Sequence, residues 1–427
     1  MAGRHGDTEA THQAPPHSMR IPAELSRPGA NNDRSVSVSV IVPAFNAAET
    51  IADTLQSVCA QTWPAWEAVV VDDGSSDGTA AVAQGFTDRD ARVRIVTQVN
   101  CGEGAARNAG IAHARYDWLL FLDADDWISP RHLERLTATL RSRRNPAAVY
   151  CGSARVALDG TEVIDPYVPP TGDLFPTLTR NGAFPVHACI VRRSIVEAVG
   201  GFDPSLKTCA DWDLWQRIAR TGARFGAVRE VLAYYRMRPN SASQNATQLL
   251  TDGLRIIRQG HAPDARVAHP HRAHARGSSP DQMAGPQFYL IAWCAGLMIG
   301  TGQSAIPLLL LIHDVHCRRL HPKGIAQCLF GAAIHATCRT AGAWDALWPA
   351  AEPLVDEFLP ALERQSQTPA LAARARVEMK KMILAASPTW GPLYKDAQEL
   401  DAHPWVRLGR GLGLLRRSAR RPREFQE

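Results

Sequence analysis

The sequence predicts an α/β protein: a mostly parallel sheet with helices on both faces, followed by a mainly α-helical C-terminal region. Three observations predict it. Apolar, β-branched runs without alternating polarity recur through the first half, as strands buried on both faces require. Helix-like segments separate them, which is the order of a parallel sheet. Beyond about residue 244 such runs cease, and the composition becomes helical, rich in alanine and arginine.

The elements follow in order. Residues 1–34 are polar, carry Pro and Gly throughout and lack the apolar segment of a secretory signal; they read as a disordered lead-in. VSVSVIVPAF, from Val36 to Phe45, is a first strand stopped by Pro43. Asn46 with Glu49 three positions on has the form of a capping box, and Ile51, Leu55 and Val58 recur at helical spacing. The strand Glu67–Val71 runs into the acidic turn Asp72–Asp73 and a helix carrying Ala81, Val82 and Phe86. Val93–Gln98 is a third strand and Gly104–Ala114 a third helix. WLLFLDADD, from Trp118, is a fourth strand. Beyond residue 150 come short strands and proline-rich loops. The helix DWDLWQRIARTG then closes with Gly222 at C′, and the strand AVREVLAYYRMRP ends near residue 240.

A chain of 427 residues exceeds one ordinary domain. The expected organisation is a tail at 1–34, an α/β domain at 35–243 and a helical region with a basic tail at 244–427. A hydrophobic fraction of 45% suits a buried core, and the mild net charge of +5, with no basic helix interleaved with aromatics, gives nucleic acid no support. Nine cysteines without a CxxC pair fit a reducing, cytoplasmic setting and give a zinc site little support. Gln287–Ile312 has no charge and is long enough to span a membrane. GTGQS and Pro307 interrupt it, so it is expected as two buried helices of about 13 and 8 residues. The last residues carry seven arginines among leucines. They read as a frayed basic tail, with peripheral contact to an anionic membrane, at its inner face, as the other reading.

The chemistry concentrates in WLLFLDADDWISP, Trp118–Pro130. Three carboxylates at one strand end repel unless a counter-charge is present. A divalent cation with oxygen ligands, Mg²⁺ or Mn²⁺, is the natural one. Strand alternation would point Asp123 and Asp125 to one side and Ala124 to the other. In such sheets ligands lie outside the carboxyl ends of the strands.

Seven stretches in order, VSVIVPAFNAAETI, VVVDDGSSDGT, NCGEGAARNAGI, FLDADDW, VGGFDPSL, ADWDLWQRIA and YYRMRPNSAS, resemble the family 2 glycosyltransferases of GT-A fold, over about Val36 to Ser243. The resemblance implies a Rossmann-like GT-A domain, a nucleotide-diphosphate sugar donor, a divalent metal and inversion at the transferred sugar. It implies that Pro43, Ala44 and Phe45 line the nucleoside, that Asp73 hydrogen-bonds the base, and that Glu49 is a further nucleotide contact. It puts Arg107 near the diphosphate, Asp123 and Ala124 against the donor, and the metal on Asp125; Asp126 reads as a local cap. Asp211 is the implied general base, at a helix N-terminus that favours the ionised form. The family usually has Glu-Asp there, and Ala210 fills the glutamate position. Arg238 stands where the family often has His and is expected on phosphate, since a guanidinium does not ligate a metal. His187 is a candidate for the acceptor, a hydroxyl on a glycan, a lipid-linked sugar or a protein.

Three other readings stand beside this one. A nicotinamide-dependent oxidoreductase is disfavoured because Arg107 occupies the third-glycine position after Gly102 and Gly104. A nucleotidyltransferase of similar fold would release pyrophosphate. A nucleotide-sugar-binding module without transferase activity has its footing in Ala210.

Overall fold

The computed structural model describes residues 36–140, 146–164, 171–239, 241–312 and 315–387. The expected lead-in at 1–34 and the basic C-terminal tail lie outside the described residues.

Ten strands form one mixed sheet: β1 (Val38–Ala44), β2 (Trp66–Asp72), β3 (Val93–Thr97), β4 (Trp118–Phe121), β5 (Trp127–Ile128), β6 (Ala148–Val156), β7 (Glu162–Ile164), β8 (Gly172–Asp173), β9 (Cys189–Arg192) and β10 (Arg224–Arg236). The order is β3-β2-β1-β4-β9-β6-β10-β5, with β7 on β6 and β8 on β10. From β3 to β4 the strands are parallel. β9 is antiparallel to β4 and β6, and β10 again runs parallel to β6. The chain builds outward from β1 to β3, then returns to place β4 on β1's other side. That reversal opens a crevice beyond the carboxyl ends of β1 and β4, where such sheets seat ligands.

The helices of this half are α1 (Ile51–Cys59), α2 (Thr79–Thr87), α3 (Glu103–His113), α4 (His132–Leu140), α5 (Phe175–Leu178), α6 (Arg193–Ala198) and α7 (Ala210–Arg220). They cover both sheet faces. Ala68 and Val70 of β2 join the main core, while Val69 and Val71 cluster with Ala106 and Ala109 of α3. Alternate side chains of one strand are thus buried on opposite sides, which is why β2 reads as an unbroken apolar run.

The second half is helical: α8 (Ala246–Gly260), α9 (Ala284–Gly300), α10 (Ile306–Leu309), α11 (Pro322–Thr337), α12 (Trp344–Ser366) and α13 (Leu371–Ala386). It has its own core, in which Phe288, Leu329, Trp344 and Phe358 are buried. The uncharged stretch at 287–312 does break in two, but into helices of 17 and 4 residues. The segment Pro280–Gly300 is long and apolar enough to cross a membrane, and 56% of its apolar window is buried within this protein.

The capping box does not form. Asn46 takes a left-handed conformation, φ 48°, and its Oδ1 accepts from Ser76 N at 2.9 Å. α1 begins only at Ile51, after Thr50, with no side-chain cap.

α3 lies close on β1 because residue 110 is glycine. A Cβ there would stand 2.2 Å from Ile41 Cγ2, whereas one on Gly85 of α2 would meet nothing within 4 Å. Gly110→Ala is therefore expected to cost about 1–3 kcal/mol by overpacking. Gly85→Ala is expected to gain roughly 0.5–1 kcal/mol from helix propensity. Urea unfolding of the two variants measures both.

Candidate active site

The floor of the crevice is the turn after β4. Leu122 N donates to Ile41 O at 2.9 Å, the last bond tying this strand to β1, and Asp126 N donates back to Asp123 O at 3.1 Å. The chain therefore turns at Ala124–Asp125, and the strand alternation expected for Asp123 and Asp125 stops before it reaches them. Each carboxylate finds a different partner. Asp123 Oδ1 meets Arg107 Nη2 at 2.6 Å. Asp125 pairs with Arg238. Asp126 points inward, where its Oδ1 accepts from Arg236 N at 2.8 Å and its Oδ2 lies 3.0 Å from His187 Nδ1. Asp126 thus ties the turn to β10 and is not the local cap expected.

His187 is fully buried beneath this turn. Its ring has no exposed surface with which to meet an acceptor. Burial pulls its pKa down, but Asp126 and the neighbouring aspartates outweigh that and hold it above the usual value. Burial likewise raises the Asp126 carboxyl against the pull of His187.

Arg107 comes from α3, 3% exposed, and also binds Glu103 one turn earlier at 2.5 Å. Sequence reasoning passed over Glu103, although the i,i+4 spacing to Arg107 was there to find it. The pull of Arg107 on Glu103 is exceeded by its removal from bulk water together with Asp123, Asp211 and Asp125, and Glu103 is pushed up to about 7. Asp125 is pushed up to about 6 by burial, Asp126 and Asp123, against the pull of Arg238. Around this turn there is therefore more carboxylate than Arg107 and Arg238 neutralise. Its oxygen donors suit Mg²⁺ or Mn²⁺. Among the described residues no three His, Cys, Asp or Glu side chains form a metal cage. A cation on Asp125 would complete its shell with substrate oxygens.

One wall is built from the ends of β1 and β2. Asp73 is 2% exposed. It accepts from Gln98 Nε2 at 2.7 Å, from Cys101 N at 2.9 Å and from Gly102 N at 2.9 Å. Three of its roughly four acceptor positions are thus used to shape the loop before α3, leaving one for a ligand. Pro43, Ala44 and Phe45 line this wall, and Phe45 is 52% exposed. Glu49 is exposed and does not line the cleft.

The opposite wall starts with α7. Cys209 is left-handed, φ 57°, and turns the chain into the helix, so Asp211 stands in its first turn. Asp211 is half-buried, and its Oδ1 accepts from Trp212 N at 2.8 Å. Burial raises its pKa, more than Arg107 and that amide lower it. The helix-end preference for the ionised form is present but outweighed. Asp213 faces the other way, in a buried pair with Arg217 at 2.6 Å that fixes α7. The segment before α7 is clamped by buried Asp252 of α8, which accepts from Thr208 N and Oγ1 at 2.9 Å.

Together these walls enclose about 980 Å³. The cleft brings together Pro43, Ala44, Phe45, Asp73, Arg107, Asp123, Ala124, Asp125, Asp211 and Arg238 of the expected residues, with His187 buried beneath its floor, and leaves out Glu49. It also reaches Tyr289, Leu290 and Trp293 of α9 and Cys328 of α11, which carry no readable motif.

A mixed α/β sheet with an acidic crevice at its switch point is a ligand-binding architecture. The pattern of glycosyl transferase family 2 matches residues 39–200. The chain is 32% identical over 211 residues, 49% of its length and 82% of the other's, to TuaG of Bacillus subtilis, named as a teichuronic acid biosynthesis glycosyltransferase. It is 29% identical over 221 residues to the glycosyltransferase EpsJ of the same species, covering 48% of this chain and 63% of that one. Residues 1–349 of TarS from S. aureus overlay with a TM-score of 0.47 at 16% identity, over 82% of this chain and 91% of that one. The chain belongs to glycosyltransferase family 2. It is a glycosyltransferase, with a GT-A-like α/β sheet followed by a helical region.

Arg107→Met is expected to lower stability at pH 7 by about 2–4 kcal/mol, because Asp123 and Glu103 lose their partner; this is below the full cost for buried pairs since both acids are partly wet. Adding Asp123→Asn to Arg107→Met should recover part of the loss in urea unfolding.

Proposed function

We propose that the protein transfers a sugar from a nucleotide-diphosphate donor to an acceptor hydroxyl by one displacement, with inversion. The observation that carries this reading is the arrangement of charge across one cleft. Arg107 and Arg238 stand at the Asp123–Asp125 turn, and the half-buried Asp211 faces Arg107 and Asp123.

The nucleoside would lie along Pro43–Phe45 and the loop that Asp73 holds. The diphosphate would lie between Arg107 and Arg238, whose guanidiniums suit phosphate oxygens. Arg238 would then shift from Asp125 toward the donor. A divalent cation held by Asp125 and the donor's own phosphates would supply positive charge to the departing nucleoside diphosphate. Asp123 would orient the sugar. Asp211 would take the proton of the acceptor hydroxyl as its oxygen bonds to the anomeric carbon; the bond to the diphosphate breaks on the opposite side.

The raised pKa of Asp211 fits this role, since the carboxylate of a weaker acid accepts the proton more readily. The sign follows: activity needs the carboxylate and is lost as pH falls through the folded-state pKa, which lies above the ordinary value of about 3.9. The acid limb of kcat/KM should lie above that value in the wild-type enzyme.

Asp211→Asn is expected to lower transfer by at least about 10²–10⁴-fold. Binding of the nucleoside diphosphate should stay within about threefold, because the side chain lies on the acceptor side. Radiolabelled sugar transfer and calorimetric titration measure the two. Normal turnover by the variant would remove Asp211 as the base. Pyrophosphate among the products would favour a nucleotidyltransferase, and donor binding without any turnover of wild type a binding module.

A further inference from the structure

The cleft changes character along its length. At the donor end its cations are paired: Arg107 with Asp123 and Glu103, Arg238 with Asp125. Two more cations line the cleft, Arg180 and Lys207. Both are exposed, and neither makes an ion pair among the described residues. Unlike Arg107 and Arg238, these two cations have no acidic partner among the described residues.

The backbone segments that carry both cations are packed against the start of α7. Arg180 begins the loop that continues to Gly182, whose Cα lies against the Trp212 side chain; a Cβ there would be 3.8 Å from Trp212 Cβ. Lys207 lies four residues before Asp211, and its amide donates to Asp252 Oδ2 at 3.2 Å. The cleft also has an aromatic wall from the helical half. Tyr289, Leu290 and Trp293 line it, the two aromatic rings partly exposed. That wall is locked to the base-bearing helix at Gly253. A Cβ on Gly253 would stand 2.6 Å from Leu290 Cδ2 and 3.3 Å from Trp212 Cζ3, so only glycine lets the two side chains meet there.

Flat aromatic faces take the apolar faces of sugar rings, and unpaired cations take anions. We propose that the helical half completes an acceptor subsite for an anionic glycan. A sugar ring packs on Tyr289 and Trp293, while a carboxylate or phosphate near the accepting hydroxyl binds Arg180 and Lys207. This rests on Asp211 marking the acceptor side of the cleft. Dedication of the two cations to the donor's diphosphate is the competing assignment.

The test uses the full chain with UDP and Mn²⁺. Three probes are titrated by calorimetry: a glucuronate-containing tetrasaccharide, a glycerol-phosphate oligomer and neutral maltotetraose. At least one anionic probe is expected to bind ten times or more tightly than maltotetraose, and which one binds decides between carboxylate and phosphate. Arg180→Gln with Lys207→Gln should weaken that probe about tenfold or more, with UDP affinity unchanged. Both residues are exposed and unpaired, so the double variant should fold as wild type. Trp293→Ala should weaken the same probe without abolishing its preference over maltotetraose. The proposal is overturned if neither anionic probe binds the wild type better than maltotetraose, or if the double variant loses UDP instead of the probe. UDP titrated alone separates these failures from a failure of the donor reading.

Discussion

Carboxylate crowding at the carboxyl ends of β1 and β4 is the constraint on which the rest of this structure depends. Glu103, Asp123, Asp125 and Asp211 face one cleft, and Asp126 lies just beneath it. Crowded this closely, they cannot all ionise without cations nearby. The fold answers by driving Arg107 in from α3 and bringing Arg238 from the end of β10, while Asp126 is turned inward onto His187. Around the Asp123–Asp126 turn a deficit of positive charge remains. Glu103 and Asp125 sit well above the ordinary carboxylate range as a result.

The packing serves that arrangement. Gly110 lets α3 press on β1, so that Arg107 reaches the turn after β4. The buried Asp213–Arg217 pair sets the orientation of α7 and so of Asp211, and Arg217 also donates to the carbonyls of Val199 and Gly201. Asp252 then joins the helical half to the segment that enters α7. The two halves of the chain are thereby coupled at the residue proposed as base, which gives the helical region a part in shaping one wall of the cleft.

The central parallel strands were legible to within a residue or two because burial on both faces demands uninterrupted apolar runs, which Val40–Val42 of β1 and Ala68–Val71 of β2 supply, while β3 at the sheet edge, only half-buried, was legible from its β-branched residues. The cleft was legible where motifs lie at strand ends, as with Asp73, Asp123 and Asp125. It was misread where local rules end. Alternation holds only while the ladder bonds last, and they stop at Leu122, so the Asp123–Asp126 turn follows its own geometry. The capping-box pattern at Asn46 and Glu49 lost to a loop pinned by Ser76. Asp126 and His187 meet only through the sheet order, which no local pattern encodes. Tyr289 and Trp293 stayed hidden because a helix packed in a core and a helix lining a cleft share the same apolar composition.

Thermal unfolding of the full chain with a panel of nucleotide-diphosphate sugars, each with and without Mn²⁺, tests the central claim most directly. If the carboxylate-rich crevice is a donor site awaiting positive charge, one sugar nucleotide raises the melting temperature. At a hundredfold excess over Kd the gain is about 2.7 kcal/mol, and Mn²⁺ enlarges the shift. Stabilisation by NAD(P) instead, or no response to any sugar nucleotide with the cation present, would contradict the account.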